Sequence, residues 1–189
     1  MKDSRQALYA GRLKELDEIF VKLVNNLNLA SKLEYEMQPL KFEKIDPAEL
    51  VRNQVAGFLN DGLDDRYLIH LNVEEDNQKA FVQADKELLG RAVNNLIENS
   101  IQHNPEGCNI LVALRANAGN CFINISDNGK GLPNEVLDNQ GTFHAPSAIP
   151  SHGLGLMLVQ QIVKAHGGAV KMRNLPLVGC QITLRLPIK

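Results

Sequence analysis

Three short segments constrain this chain more than the rest of its 189 residues: Asn95-Leu96-Ile97-Glu98-Asn99, Asp127-Asn128-Gly129-Lys130-Gly131 and His152-Gly153-Leu154-Gly155-Leu156. The first lies in a strongly helical stretch, from about Asp85 to His103, and a spacing of four puts both amides on one helix face. The second closes an alternating apolar run, Cys121 to Ser126, so Asp127 ends a strand; the Asn-Gly and Lys-Gly pairs then require a sharp turn. The third opens a helix, because Leu154, Leu158, Ile162 and Val163 recur at helical spacing behind two glycines. A fold that joins them must bring a helix face, a strand end and a helix start together.

Each segment has a chemistry and a plainer alternative. Two amide oxygens on one helix face can hold a hard cation such as Mg²⁺, which keeps most of its waters and phosphate ligands; solvated surface amides would look the same. A carboxylate at a buried strand end can accept from an exocyclic amine, and flanking glycines let a flat ring approach; an ordinary Asp-Asn-Gly turn is the alternative. Backbone N–H groups at a glycine-opened helix start suit a triphosphate, while a hinge before a core helix is the bland reading. The dinucleotide fingerprint is absent, since Leu158 stands where it needs a small residue, and no Walker-A Gly-Lys-Ser/Thr run occurs.

In this order the segments resemble the N, G1 and G2 boxes of the sensor histidine kinase catalytic domain. That domain belongs to the ATPase/kinase superfamily sharing the Bergerat fold with gyrase-type topoisomerases, the ninety-kilodalton heat-shock chaperones and the mismatch-repair ATPases. The resemblance runs from about Phe42 to Ile188. It implies ATP and Mg²⁺ as ligands, with Asp127 recognising adenine and Asn95 and Asn99 as the catalytic, metal-holding amides. It further implies that Gly129, Gly131, Gly153, Leu154, Gly155 and Leu156 line the nucleotide through backbone approach and phosphate cradling. His103 would stack near the adenine, and Thr183 would supply a small hydroxyl beside the adenine-side Asp. Gln102 and His103 depart from the basic and aromatic residues common there. The segment 132–152 corresponds to the ATP lid; Phe143 is its candidate anchoring aromatic, but Thr142-Phe143-His144-Ala145 matches the usual box poorly.

The reaction class follows from one position. Hydrolytic members and serine kinases of the superfamily carry a Glu four residues before the metal-binding Asn, as general base. This chain has Asn95 there, and an amide cannot take that proton. An imidazole acceptor is already a nucleophile and needs no such base. Glu98 is no substitute, because it points elsewhere on the helix. The expected activity is that of a protein-histidine kinase. An ATP-hydrolysing member of the same fold and a degenerate kinase kept for dimerisation or protein contact are the alternatives.

Towards the amino terminus, Tyr9, Leu16, Ile19, Leu23, Asn26, Ala30, Leu33 and Met37 follow a three-four spacing, widened by Leu13, Phe20 and Leu27. A stripe that wide suits a helix bundle; an amphipathic helix docking on its own domain is the alternative. By resemblance, residues 1–38 are part of the second helix of a dimerisation hairpin, and 39–189 the catalytic ATP-binding domain. None of the five histidines, His70, His103, His144, His152 and His166, has the phosphoacceptor context. The chain is therefore expected to be a fragment that phosphorylates a histidine on a hairpin outside it, with a response regulator downstream and a homodimer in the parent protein.

Net charge is −2 with no basic tract, so nucleic-acid binding is not indicated. The three cysteines lack Cys-x-x-Cys spacing and suit reduced thiols of a cytoplasmic protein. No apolar run reaches the roughly 18 residues of a membrane span, so any anchor of the parent would lie upstream. Helices are expected at about Ser4–Met37, Asp46–Leu59 and Leu154–His166 as well as across the Asn-bearing stretch. Strands are expected near Lys41–Ile45, Tyr67–Val73, Ala80–Gln83, Asn109–Arg115, Cys121–Ser126, Ala169–Arg173 and Cys180–Leu186. Helices against a mostly antiparallel sheet make an α+β fold, a two-layer sandwich preceded by a long amphipathic helix.

Overall fold

The computed structural model describes residues 2–73, 81–117, 119–133, 137 and 153–188. The elements run α1 (Lys2–Glu34), β1 (Glu43–Ile45), α2 (Pro47–Asn60), β2 (Tyr67–Val73), β3 (Val82–Ala84), α3 (Lys86–His103), β4 (Cys108–Asn117), β5 (Asn120–Asp127), α4 (Gly153–Ala165), β6 (Ala169–Asn174) and β7 (Cys180–Pro187). Five strands form one sheet in the order β2-β4-β5-β7-β6, and β1 and β3 make a separate antiparallel ribbon. The large sheet is antiparallel except where β2 runs parallel to β4.

The sheet has one covered face. Along β4 and β7 burial alternates, with Ile110, Val112, Leu114, Ile182, Leu184 and Leu186 turned inward. They meet Leu89, Val93, Leu96 and Ile97 of α3 and Leu158, Val159, Ile162 and Val163 of α4 in one continuous core. Each such side chain contributes about 1.5–3 kcal/mol on burial. The opposite face carries polar contacts instead: Thr183 Oγ1 donates to Asn124 Oδ1 at 2.7 Å, and Arg115 lies over the Phe122 ring.

Helix starts follow their capping signals. Asp46 caps α2 ahead of Pro47, its Oδ1 accepting Ala48 N–H at 2.8 Å. Asp85 caps α3 through Leu88 N–H at 3.0 Å, and its other oxygen accepts Lys41 N–H at 3.0 Å. Asp85 N–H in turn donates to Nε2 of buried His166 at 2.9 Å, while Nδ1 of that ring donates to the Ile162 carbonyl at 2.7 Å. One carboxylate and one imidazole thus tie the β1 segment, α3 and α4 together, which explains His166 without any chemistry.

The first helix stops at Glu34, short of the expected end at Met37. Met37 N–H turns back to the Lys32 carbonyl at 2.7 Å and Glu36 N–H to Leu33 at 3.2 Å, with Glu36 at φ 55°. This is a Schellman end with a non-glycine residue in the left-handed position. The carboxy-terminal part of the α1 stripe packs on the domain: Asn26, Ala30 and Leu33 are buried, and α1 lies along α4. Leu13, Leu16, Ile19 and Phe20 stay exposed. The stripe is therefore split, one end docked on its own domain and the other uncovered; Tyr9 lies outside the described side chains.

Candidate functional site

Asp127 ends β5 and is buried. Its Oδ1 accepts Gly129 N–H at 2.9 Å. Its Oδ2 accepts the Ser100 hydroxyl from α3 at 3.1 Å and the Cys180 thiol from β7 at 3.2 Å. The thiol arrives by sheet register, since Asp127 and Cys180 are direct antiparallel partners. A carboxylate offers about four lone-pair sites, so acceptor capacity remains for a further donor. Burial, and then the Asp127 charge, push the Cys180 thiol well above its ordinary range. The same two causes, in the same order, raise Cys108, whose Sγ donates to the Ser100 carbonyl at 3.6 Å. Both thiols stay protonated and act as donors.

The turn after Asp127 is held from three sides. Asn128 Oδ1 accepts Asn109 N–H at 2.8 Å from the start of β4. Lys130 N–H donates to Asn104 Oδ1 at 3.1 Å, and Asn104 Nδ2 donates to the Ser100 carbonyl at 2.8 Å. Asn174, ending β6, pairs with Leu132 in both directions: Leu132 N–H to Oδ1 at 2.7 Å and Nδ2 to the Leu132 carbonyl at 2.9 Å. Gly131 sits at φ +79°, a region that glycine enters without steric cost.

The other half of the site lies between α3 and α4. Asn95 is buried and its Nδ2 donates to the Arg91 carbonyl at 2.8 Å. Asn99, one turn on, has a buried Nδ2 with no hydrogen-bond partner among the described residues. A buried polar atom left unpaired costs about 1–3 kcal/mol. Both amides face the first turn of α4: a methyl on Gly155 would lie 3.3 Å from Asn99 Oδ1 and 3.5 Å from Asn95 Oδ1. Gly153 begins α4, with Leu154 half-buried and Leu156 buried behind it. The first-turn N–H groups have no intrahelical partner and carry the positive end of the helix dipole.

Asn95, Asn99, Asp127, Gly129, Gly131, Gly153, Leu154, Gly155 and Leu156 thus come from the three segments onto one side of α3. His103 closes α3 half-buried, with Gln102 exposed beside it. Thr183 does not join them. It lies on the open face of the sheet, bonded to Asn124, and the β7 side chain that meets Asp127 is Cys180. An odd offset of three residues along a strand reverses the face. Phe143, His144 and His152 lie outside the described residues, as does most of 132–152. Ser100, Asn104, Cys180 and Asn174 are site residues that the sequence motifs do not mark. Ser100 and Asn104 stand four apart on α3, the one spacing that could have pointed to them.

Glu98 pairs with Lys22 of α1. Beside that pair a cleft of about 470 Å³ is lined by Lys22, Asn26, Gln54, Arg91 and Glu98, and Asn95 opens onto it as well. Arg91 Nη2 donates to Asn26 Oδ1 there at 2.8 Å. Among the described residues no group of three or more His, Cys, Asp and Glu could hold a metal, and no helix is long and apolar enough to cross a membrane. A divalent ion at this site would depend on amide oxygens and on the phosphates of its ligand.

The family model described as histidine kinase-, DNA gyrase B-, and HSP90-like ATPase matches residues 84–189. The alginate biosynthesis sensor protein KinB of Pseudomonas aeruginosa is 28% identical over 191 residues, covering 98% of this chain and 31% of that protein. The adaptive-response sensory kinase SasA of a Synechocystis species is 27% identical, covering 97% of this chain and 48% of that protein. The chain spans about a third of the first of these relatives and about half of the second. Among solved structures, the histidine kinase AdeS of Acinetobacter baumannii superposes with a TM-score of 0.74 at 20% identity, over 94% of this chain and 82% of that one. Full-length ShkA in complex with AMPPNP superposes with a TM-score of 0.75 at 20% identity, over 97% of this chain and 39% of that one.

Proposed function

We propose that this chain, which belongs to the histidine kinase-, DNA gyrase B- and HSP90-like ATPase family, is the ATP-binding catalytic module of a sensor histidine kinase. In this reading residues 1–38 are part of a dimerisation helix and 39–189 the catalytic domain. The module binds Mg·ATP and passes the γ-phosphoryl to a histidine on a hairpin outside the chain, for relay to a response regulator. The parent protein acts as a homodimer, with this module on the cytoplasmic side.

The single observation that carries this reading is the meeting of two unlike halves along one side of α3. Asp127, fixed by three donors, has acceptor capacity for an adenine amine. Asn99, with its orphaned amide, faces the glycine-opened start of α4. The residues present fit Mg²⁺: Asn99 Oδ1 and Asn95 Oδ1 both lie against the first turn of α4 at Gly155. When bound, the ion neutralises charge on the transferring phosphoryl group. The chain's own residues do the rest. The α4 N-terminus orients the phosphates, Asp127 fixes the base, and Asn95 leaves the site without a group to deprotonate water. That last point favours transfer to an imidazole over hydrolysis.

Calorimetric titration with Mg·ADP and a non-hydrolysable ATP analogue tests the pocket, on this chain and on Asp127→Ala. Binding that disappears in the variant supports the reading, and phosphotransfer to a supplied acceptor hairpin is then the test of activity. A folded chain that binds neither nucleotide refutes it.

A further inference from the structure

We infer that Gly129 is a glycine because of Asn104 rather than because of a ligand, and that Asn104 is a positioning residue for nucleotide recognition. The functional half of this inference rests on the reading above; the steric half does not. A methyl group at Gly129 would overlap the side chain of Asn104, and its three closest neighbours would be Oδ1, Cγ and Nδ2 of that one carboxamide. Gly129 is not in the left-handed region of backbone space, so conformation alone does not demand glycine there.

The carboxamide fills that space for a reason visible in its bonds. Asn104 is buried, its Nδ2 is fixed to the Ser100 carbonyl, and its Oδ1 receives Lys130 N–H. Ser100, on the same face of α3, reaches Asp127 directly. The last turn of α3 therefore grips the Asp127 turn at two points while the same helix carries Asn95 and Asn99. Asn104 sets how far the adenine-side carboxylate stands from the phosphate-side amides, and Gly129 is the notch that admits it. An exposed turn without this grip would leave Asp127 held only from within β5 and β7.

The test is a double-mutant cycle on the 189-residue chain: Gly129→Ala, Asn104→Ala and both together. Melting midpoint and affinity for Mg-bound non-hydrolysable ATP and GTP analogues are read for each. Gly129→Ala alone is expected to lower the midpoint and weaken ATP-analogue binding by about 100-fold. Asn104→Ala alone costs about tenfold, the scale of one lost buried hydrogen bond, and narrows the preference for adenine over guanine. Adding Gly129→Ala to Asn104→Ala is expected to cost little more, since the obstructing carboxamide is gone. Additive losses would overturn the pairing and return Gly129 to a role in ligand approach. An unchanged adenine preference in Asn104→Ala would overturn the positioning role, because general destabilisation weakens both analogues alike. A parent chain that binds neither analogue would refute the nucleotide reading and the positioning role with it, leaving the midpoints to decide the steric pairing.

Discussion

The two halves of the site are built in opposite ways. On the adenine side, every polar atom named has a partner: Asp127 takes three donors, and Asn104, Asn128 and Asn174 each fasten a different point of the turn. On the side proposed for phosphate, Asn95 spends one donor on its own helix and Asn99 leaves one buried donor unpaired among the described residues. A finished network is rigid before any ligand arrives, and it adds specificity through pre-organisation. An unfinished one carries a cost that a ligand relieves. Under the proposed function, recognition of the base falls to a fixed surface, and engagement of phosphate and metal to a surface completed on binding.

The largest test of that contrast is Asp127→Ala. It removes the acceptor for an adenine amine and strands the Ser100 hydroxyl, the Cys180 thiol and Gly129 N–H together. Nucleotide affinity should fall by about 100-fold, the scale of a hydrogen bond to a charged group, and stability should drop by roughly 2 kcal/mol or more. Calorimetry and urea melts measure both. A variant that lost affinity with no loss of stability would show the network to be less coupled than its geometry implies.

Asn99→Ala should behave in the reverse sense. Its side chain costs the ligand-free chain stability, so the variant should melt at or slightly above the parent midpoint, by up to about 1 kcal/mol. The gain in nucleotide affinity that Mg²⁺ confers should shrink by about tenfold. Scanning calorimetry with and without Mg·ADP reads both together. A destabilised Asn99→Ala would mean that the amide is a structural member like Asn104, and the contrast between the halves would fail.

Much of this site is legible in the amino-acid sequence, and the remainder is hidden there for a physical reason. The helical spacing of Asn95 and Asn99, the strand ending at Asp127 and the glycine-opened α4 are local patterns, as are Asp46 and Pro47 at the start of α2. Local patterns can be read from neighbours in the chain. The bracing residues act at a distance. Cys180 reaches Asp127 across 53 positions through register alone, and Asn174 reaches Leu132 across 42. Thr183 is expected at the adenine by family resemblance, which marks a small hydroxyl after Gly179 but not the face of the strand on which it stands. A register error of one residue exchanges the two faces, and only the pairing of β5 with β7 decides it. The split in the α1 stripe is hidden for the same reason: periodicity shows a face, not what covers each part of it.

Alkaline pH probes the same contrast more gently, because titratable thiols sit on the adenine side and none of the amides titrates. Cys180 and Cys108 are raised by burial and then by Asp127; Cys121, in the core, is raised from 9.0 to about 12, chiefly by burial and then by Asp46. A raised native pKa means that stability is fully present below the unfolded thiol value and is lost as pH climbs towards the folded one. Unfolding free energy should therefore decline above about pH 9, by up to roughly 1.4 kcal/mol per pH unit for each thiol ionised only in the unfolded chain. Between about pH 9 and 10 the folded Cys180 remains protonated, so nucleotide affinity of the folded chain should stay flat while the midpoint falls. Cys121→Ala should shallow the alkaline slope. Affinity that tracked the midpoint would place an ionising thiol in contact with the ligand.

The smallest effect belongs to the contact of α3 with α1, where Lys22 pairs with Glu98. The Lys22 and Glu98 side chains are 45% and 31% exposed, so solvent screens their attraction. Such pairs contribute about 0.2–1 kcal/mol, and Lys22→Ala should cost no more than about 0.5 kcal/mol, less in high salt. Glu98→Gln should leave nucleotide affinity unchanged, because the carboxylate is held by Lys22 of α1. That outcome separates Glu98 from Asn99, its neighbour in sequence. Adjacent residues on one helix turn would then differ by an order of magnitude in their effect on binding, for no reason but the direction each side chain takes. Should Glu98→Gln weaken Mg-dependent binding as much as Asn99→Ala, the carboxylate would have to swing to the ligand. The phosphate side would then include a charged member that the resting geometry keeps on α1.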